Sequence, residues 1–217
     1  MRWVQCAAAL CLGVLLASCR FIPTAEVKSM GDTSLMNGAA SFDPDKMVAS
    51  TWATKVIPYF EQKAGPFVAV RDLAAKAPDE AGAKYGYRAK SDGSPWTLLV
   101  KVEGTIVAAD TESRAATVGV DPSGQGKPEA AVQIGPAMRG TAIRDALDFV
   151  SFNDFTNQID FARYGAAFNA YVDQNTLEKL PRDDLVGRKV SVIGAYALGS
   201  GDPPQVTPVE ITIGPKP

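Results

Sequence analysis

The chain has 217 residues, 46% of them hydrophobic and 21% charged, with a formal net charge of -2 at pH 7 and a pI near 5.3. That length and balance suit one globular domain with a real core and argue against disorder. Histidine is absent, which excludes a His-ligated metal, a His general base and any Ser-His-Asp or Cys-His arrangement. The acidic balance also gives a polyphosphate partner no bulk attraction, so nucleic acid is disfavoured.

The three cysteines, Cys6, Cys11 and Cys19, all lie at the start of the chain. The body is therefore expected to hold no disulfide and no thiol nucleophile or thiolate metal site. Arg2 precedes an apolar run from Val4 to Ala17, which is short for a membrane span and reads as the core of a signal peptide, residues 1–18. Leu16-Ala17-Ser18-Cys19 closes it and resembles the bacterial lipobox. The resemblance implies cleavage before Cys19, diacylglycerol on the Cys19 thiol and a bilayer as the first partner. Stable anchoring needs more than one acyl chain. Arg20 stands where aspartate would signal retention at the inner membrane, which mildly favours the outer one. Residues 19–41, with Pro23, Gly31 and Gly38, read as a lipidated tether or as a loop packed on the body.

From Phe42 the elements are more definite. Asp43 and Pro44 predict a helix start, with Phe42 available as a staple. Met47, Val48, Trp52, Val56, Ile57 and Phe60 recur at helical spacing, with a kink expected at Pro58 and an end at Gly65-Pro66. A shorter helix is predicted over Val70–Ala77, stopped by Pro78, and a small segment over Asp79–Tyr85. After the turn-rich Ser91–Pro95 the period changes to that of a strand, Trp96–Ala109, with Gly104 as a bulge or bend. Strands over Arg114–Val120 and Ala130–Ile134 follow. Then comes a helical stretch from Thr141 through Ile143, Leu147 and Val150, an ambiguous Ser151–Gln158, and a helix over Ile159–Val172. Arg188–Leu198 and Val206–Ile213 complete five strands.

Three strands, helical material and two strands is the order of an OB-like barrel. The expected fold is α+β. A single domain spans 42–217, with helices in 42–95 and a five-stranded, partly open barrel in 96–217 that carries a helical insert at 140–180. The competing architecture is a helical layer on an unclosed antiparallel sheet.

Residues 139–162, from Arg139-Gly140-Thr141 through Phe149-Val150-Ser151-Phe152 to Asp160-Phe161-Ala162, resemble the hallmark of the DUF2291 family of predicted periplasmic lipoproteins. The resemblance extends to Phe42–Pro58 with Trp52, to Lys84-Tyr85-Gly86-Tyr87-Arg88 and to Leu99–Val107. It implies an envelope protein, anchored to the inner or outer membrane, of a kind often encoded beside sugar-type ABC transporters. A permease or a periplasmic binding protein is the implied partner. No catalytic residue and no cofactor come with it.

Within the hallmark, Arg144, Asp145, Phe152, Asn153, Asp154, Phe155, Asn157 and Gln158 form the candidate ligand or partner site. Amides and carboxylates among rings suit a polar cleft that stacks a sugar face. They suit equally a structural role, with rings filling the barrel end and polar groups capping helix breaks and satisfying buried backbone. Asp145 and Asp154 are the pair a glycoside hydrolase would need, and the reading here is non-enzymatic. Asp110, Glu112 and Asp121 match no cation-loop spacing and read as solvated turns. The basic-aromatic stretch Lys84–Arg88 reads as a surface for headgroups or a partner, or as ordinary drape over rings.

Overall fold

The structure, a computed structural model, describes residues 42–90 and 93–216. The expected signal peptide, the Leu16–Cys19 tetrapeptide and the tether lie outside the described residues. Helix α1 spans Pro44–Thr51, where the Asp43 side chain accepts from the Lys46 N–H at 3.1 Å and Pro44 occupies the first turn. A π-helical turn, Trp52–Val56, leads into α2, Ile57–Lys63. It explains how the helix survives Pro58. A proline removes one N–H and its ring collides with the carbonyl four residues back. The widened turn, in which the Ile57 N–H donates to Trp52 O five residues back, absorbs that conflict where a kink was expected.

Helices α3, Phe67–Lys76, and α4, Pro78–Tyr85, follow as the prolines predict. Gly65–Pro66, expected only to end a helix, is also strand β1 and pairs parallel with Val100 and Lys101. Strand β2, Gly86–Tyr87, pairs antiparallel with Leu98 and Thr97.

The barrel strands are β3 (Thr97–Asp110), β4 (Thr117–Asp121), β5 (Ala130–Gln133), β6 (Lys189–Ala197) and β7 (Gln205–Ile213). They pair in the order β3-β4-β5-β7-β6, and β6 returns to β3. The circle is complete, which rules out the unclosed sheet. The expected opening survives only as a thin seam, where parallel β5 and β7 share the pairs Ala131 with Gln205 and Val132 with Val206. The returning strand begins at Thr117, later than expected. Arg114 O and Ala116 O are drawn instead into a turn that accepts from Ala137, Ile134 and Gly135.

Strand β3 belongs to both halves of the barrel. Thr97 to Thr105 pair with β6, and Thr105 to Asp110 with β4. Gly104 lies at the crossing, where a Cβ would stand 2.4 Å from Asp121 O. The register shift expected there falls between Ile106 and Ala108. Leu98, Val100, Val102 and Ile106 point inward and join Val118, Val120, Val132, Val192, Tyr196 and Val206 in the barrel core. Tyr196 is held in so apolar a place that burial pushes its hydroxyl pKa up to about 12.

Leu99 and its cross-strand neighbour Ala195 are fully buried yet lie outside that core. By strand alternation they face outward, so something must cover them. The cover includes α5 (Ala142–Ala146), which packs on β6, β3 and β7; α6 (Gln158–Asn175) packs in turn on α5 and α1. Between α5 and α6 the chain makes a 3-10 turn, Phe152–Asp154. The helix expected to reach Val150 stops at Ala146, and Leu147 turns extended. From Asp43 onward the chain forms one compact unit.

Gly104→Ala is expected to lower the thermal midpoint, with a loss of about 1–3 kcal/mol read in urea, because the new methyl meets backbone that cannot move aside.

Candidate functional site

The hallmark segment is built around Arg144. Its Nε and Nη2 donate to Asp145 Oδ1 at 2.8 and 2.6 Å, Nη2 also reaches Thr141 Oγ1 at 3.1 Å, and Nη1 donates to Phe161 O at 3.0 Å. Thr141 does not cap α5 with its side chain; its hydroxyl donates to Asp145 Oδ2 at 2.6 Å. The guanidinium lies 3.7 Å from the centroid of the Phe161 ring. The close approach depends on Gly165, where a Cβ would fall 2.7 Å from Thr141 Cγ2 and 2.9 Å from Arg144 Nη1. Arg144 thus ties α5 to the first turn of α6, with most of its donors engaged.

The other polar candidates serve the backbone. Asp154 Oδ2 accepts from the Ser151 N–H at 2.8 Å and Ser151 Oγ from the Asn153 N–H at 3.3 Å, a capping box over the 3-10 turn. Asn157 Oδ1 accepts from the Asp160 N–H at 2.9 Å and caps α6. The side chains of Asn153 and Gln158 are exposed. Gln158 edges a shallow surface hollow of about 520 Å³ with Ile159, Ala162, Arg163 and Ala166. Asp145 sits in an ion pair and Asp154 in a cap, so each of the two carboxylates already has a local role.

The rings form a ladder. Phe152 and Phe155 stand edge-on to Phe161 at 5.4 and 5.3 Å, Phe155 meets Tyr164 at 5.2 Å, and Tyr164 meets Phe168 at 4.8 Å. Trp52 closes it against Phe168 and Tyr171. The ladder runs along α6 from the half-exposed Phe152 to Trp52 and lies outside the barrel core.

Several interactions had no clear sequence signal. Gln133 is buried at the end of β5; its Nε2 donates to Thr207 Oγ1 at 2.8 Å and its Oε1 accepts from the Arg139 N–H at 2.6 Å. A lone Gln in an apolar strand just before the hallmark was the available cue. Lys63 donates to the Tyr59 hydroxyl at 3.0 Å and lies 3.8 Å from Asp148. Burial, followed by the Asp148 charge, pushes the Tyr59 pKa well up. Arg71 joins α3 to the barrel through Glu129, which also takes the Ser123 hydroxyl.

Among the described residues no three His, Cys, Asp or Glu side chains gather as metal ligands. Asp110 and Glu112 are exposed, whereas Asp121, expected in a solvated turn, is buried. Its carboxylate accepts from the backbone N–H groups of Gly124, Gln125 and Gly126 at 2.7, 3.1 and 2.6 Å. In the Lys84–Arg88 stretch, Arg88 lies 4.5 Å over the Trp96 ring and 3.3 Å from Asp79, while the Trp96 indole N–H donates to Asp79 at 2.8 Å.

Two outcomes are expected. Arg144→Lys should cost about 2 kcal/mol in urea unfolding, because an ammonium cannot reproduce the fork that meets Asp145, Thr141 and Phe161 O together. For Asp121, burial raises the pKa, but the loop N–H donors outweigh it and hold the carboxyl below its usual range. The unfolded chain then takes up the proton first as pH falls. The stabilisation is complete above the unfolded value, near 4, and disappears as pH drops through the folded value. Asp121→Asn should be less stable at pH 7 and show a flatter loss of stability on acidification, followed by thermal unfolding across pH 2–7.

The chain matches the family model described as predicted periplasmic lipoprotein (DUF2291) over residues 9–212. No curated protein matches it. Among solved structures it is similar to the crystal structure of an OB-fold protein from Thermotoga maritima MSB8, at 20% identity and a TM-score of 0.64, covering 80% of this chain and 99% of that one. That likeness shows the fold alone. With the closed barrel and the Arg144-centred hallmark inside the matched span, the chain belongs to the DUF2291 family of predicted periplasmic lipoproteins, and its place is the periplasm, anchored at a membrane.

Proposed function

We propose that this lipoprotein is a non-enzymatic accessory of solute uptake, held to the membrane through an acylated Cys19 and acting by contact with a sugar-type ABC permease or its periplasmic binding protein. One observation carries the reading. Arg144, Asp145, Asp154 and Asn157 are turned to internal bonds, while the same segment leaves Phe149, Phe152 and Ile159 at 42%, 49% and 72% exposure. Bare apolar side chains on a segment tied at its two ends suit protein contact better than capture of a small solute. Among the described residues no helix is long and apolar enough to cross a membrane, and the anchor proposed is lipid. Leu16-Ala17-Ser18-Cys19 supplies the sequence for it. The transporter link is supported by the family resemblance alone.

The internal bonding of Arg144, Asp145, Asp154 and Asn157 also favours a second reading, a purely structural envelope lipoprotein. One set of measurements separates the two. Labelled palmitate should enter the wild type and not Cys19→Ala. The lipidated protein should carry a transporter component through affinity purification, and a deletion strain should take up the cognate sugar more slowly. Normal uptake with no transporter component recovered defeats the accessory role and leaves the structural one.

A further inference from the structure

We infer that residues 148–157 form a strap that opens as a unit, uncovering the ring ladder of α6 while α6 and the barrel stay folded. The inference rests on geometry and is independent of the proposed partner. Burial changes abruptly at the upstream end of the segment and returns only with Tyr164 on α6. Ile143, Ala146 and Leu147 before it are fully buried, as is Phe168 beyond it, with Tyr164 nearly so. Within 148–157 only Val150 and Phe155 are half-buried and the other residues are exposed. Segments with few buried groups open at far lower cost than the core they lie on.

The bonding pattern points the same way. The backbone hydrogen bonds described for the segment are local: Val150 N–H to Leu147 O, Asp154 N–H to Ser151 O, Phe155 N–H to Phe152 O. Its capping box is also internal. None of these bonds runs to α6 or the barrel, so opening breaks the side-chain contacts that hold the strap down and loosens its own turns with them. At the upstream end, Phe149 stands edge-on to Tyr59 at 5.5 Å, and Lys63 lies between the Tyr59 hydroxyl and Asp148. In the middle, Phe152 and Phe155 rest their edges on Phe161 and Tyr164.

The limits of the movement are built in as well. Arg144 holds α5 to Phe161 O upstream of the strap, and Asn157, the strap's last residue, stays on α6 as its downstream hinge. Both hold when the strap lifts, so α6 keeps its first turn. What is uncovered is a row of rings, Phe161 and Tyr164, continuous with Phe168.

The absence of cysteine after residue 19 gives a clean test in the full-length protein. Tyr164→Cys places a thiol beneath the strap and Val172→Cys places one on the same helix where α6 is buried farther along. Thiol labelling without denaturant, read by peptide mass, should be at least about tenfold faster at 164 than at 172. Tyr59→Phe, which removes the hydroxyl hub, should speed labelling at 164 roughly fivefold and leave 172 unchanged. Should Tyr164→Cys fail to fold, hydrogen exchange on the natural sequence decides. Exchange of Val150, Asp154 and Phe155 amides accelerated together by Phe152→Ala, with β3 and β6 amides unaffected, supports the strap. Equal labelling at 164 and 172, or strap amides that exchange only together with those of β3 and β6, overturns it.

Discussion

A single strand whose first residues are buried on both faces organises this molecule. Strand β3 pairs with β6 over its first half and β4 over its second, so it closes the barrel by itself. Leu98, Val100 and Val102 fill the inside, but Leu99 beside them is as fully buried on the outside. A barrel wall that is apolar on both sides cannot stand in water alone. The helices before the barrel and the insert between β5 and β6 are the second layer that this wall demands.

That requirement explains the character of the hallmark. The insert must leave the barrel at β5, reach the outer face and return, with two helices meeting at an angle and a turn between them. Each break exposes backbone N–H groups, and each is met by a named side chain: Asp154 and Ser151 at the 3-10 turn, Asn157 at α6. Gln133 does the same for Arg139 where the insert departs. A cluster of Asn, Asp and Ser among phenylalanines looks like a binding site in one dimension. Here Ser151, Asp154 and Asn157 form the joints of the cover, and Phe149, Phe152 and Ile159 face solvent at its rim.

Much of this was legible because local chemistry and tertiary need agreed. Asp43-Pro44, the Pro78 stop and the alternation of β3 each specify an element without help from distant residues. The strand order then narrowed the fold to an OB-like barrel. Where tertiary bonds competed, local reading failed. Gly65-Pro66 was taken up by the β3 edge, the π turn relieved Pro58, and Arg114 to Ala116 became a turn because Ile134, Gly135 and Ala137 needed acceptors. Asp121 gave the appearance of a solvated turn acid, yet three N–H groups of its own loop enclose it. A carboxylate nest is a property of loop conformation, which side-chain pattern does not encode. The two readings of residues 144–158 could not be told apart from sequence either, because both call for the same residue types.

Arg144 shows why a charged residue stands in such a place. A mostly buried ion pair contributes little net stability, since desolvation offsets most of its attraction. Apolar residues of similar volume could hold α5 against α6 as firmly, but would allow the helices to slide. The guanidinium allows one arrangement: a fork on Asp145, one N–H on Phe161 O, its flat face on the Phe161 ring. Gly165 then becomes obligatory, because that arrangement brings Arg144 Nη1 and Thr141 Cγ2 within 3 Å of where a Cβ would be. Fixing α5 to the start of α6 in this way fixes the position of Phe161, and Phe161 carries the edges of Phe152 and Phe155. The Arg144 guanidinium therefore sets where the exposed rings of the cover stand. The surface a partner would meet is positioned from beneath by a residue the partner need not touch.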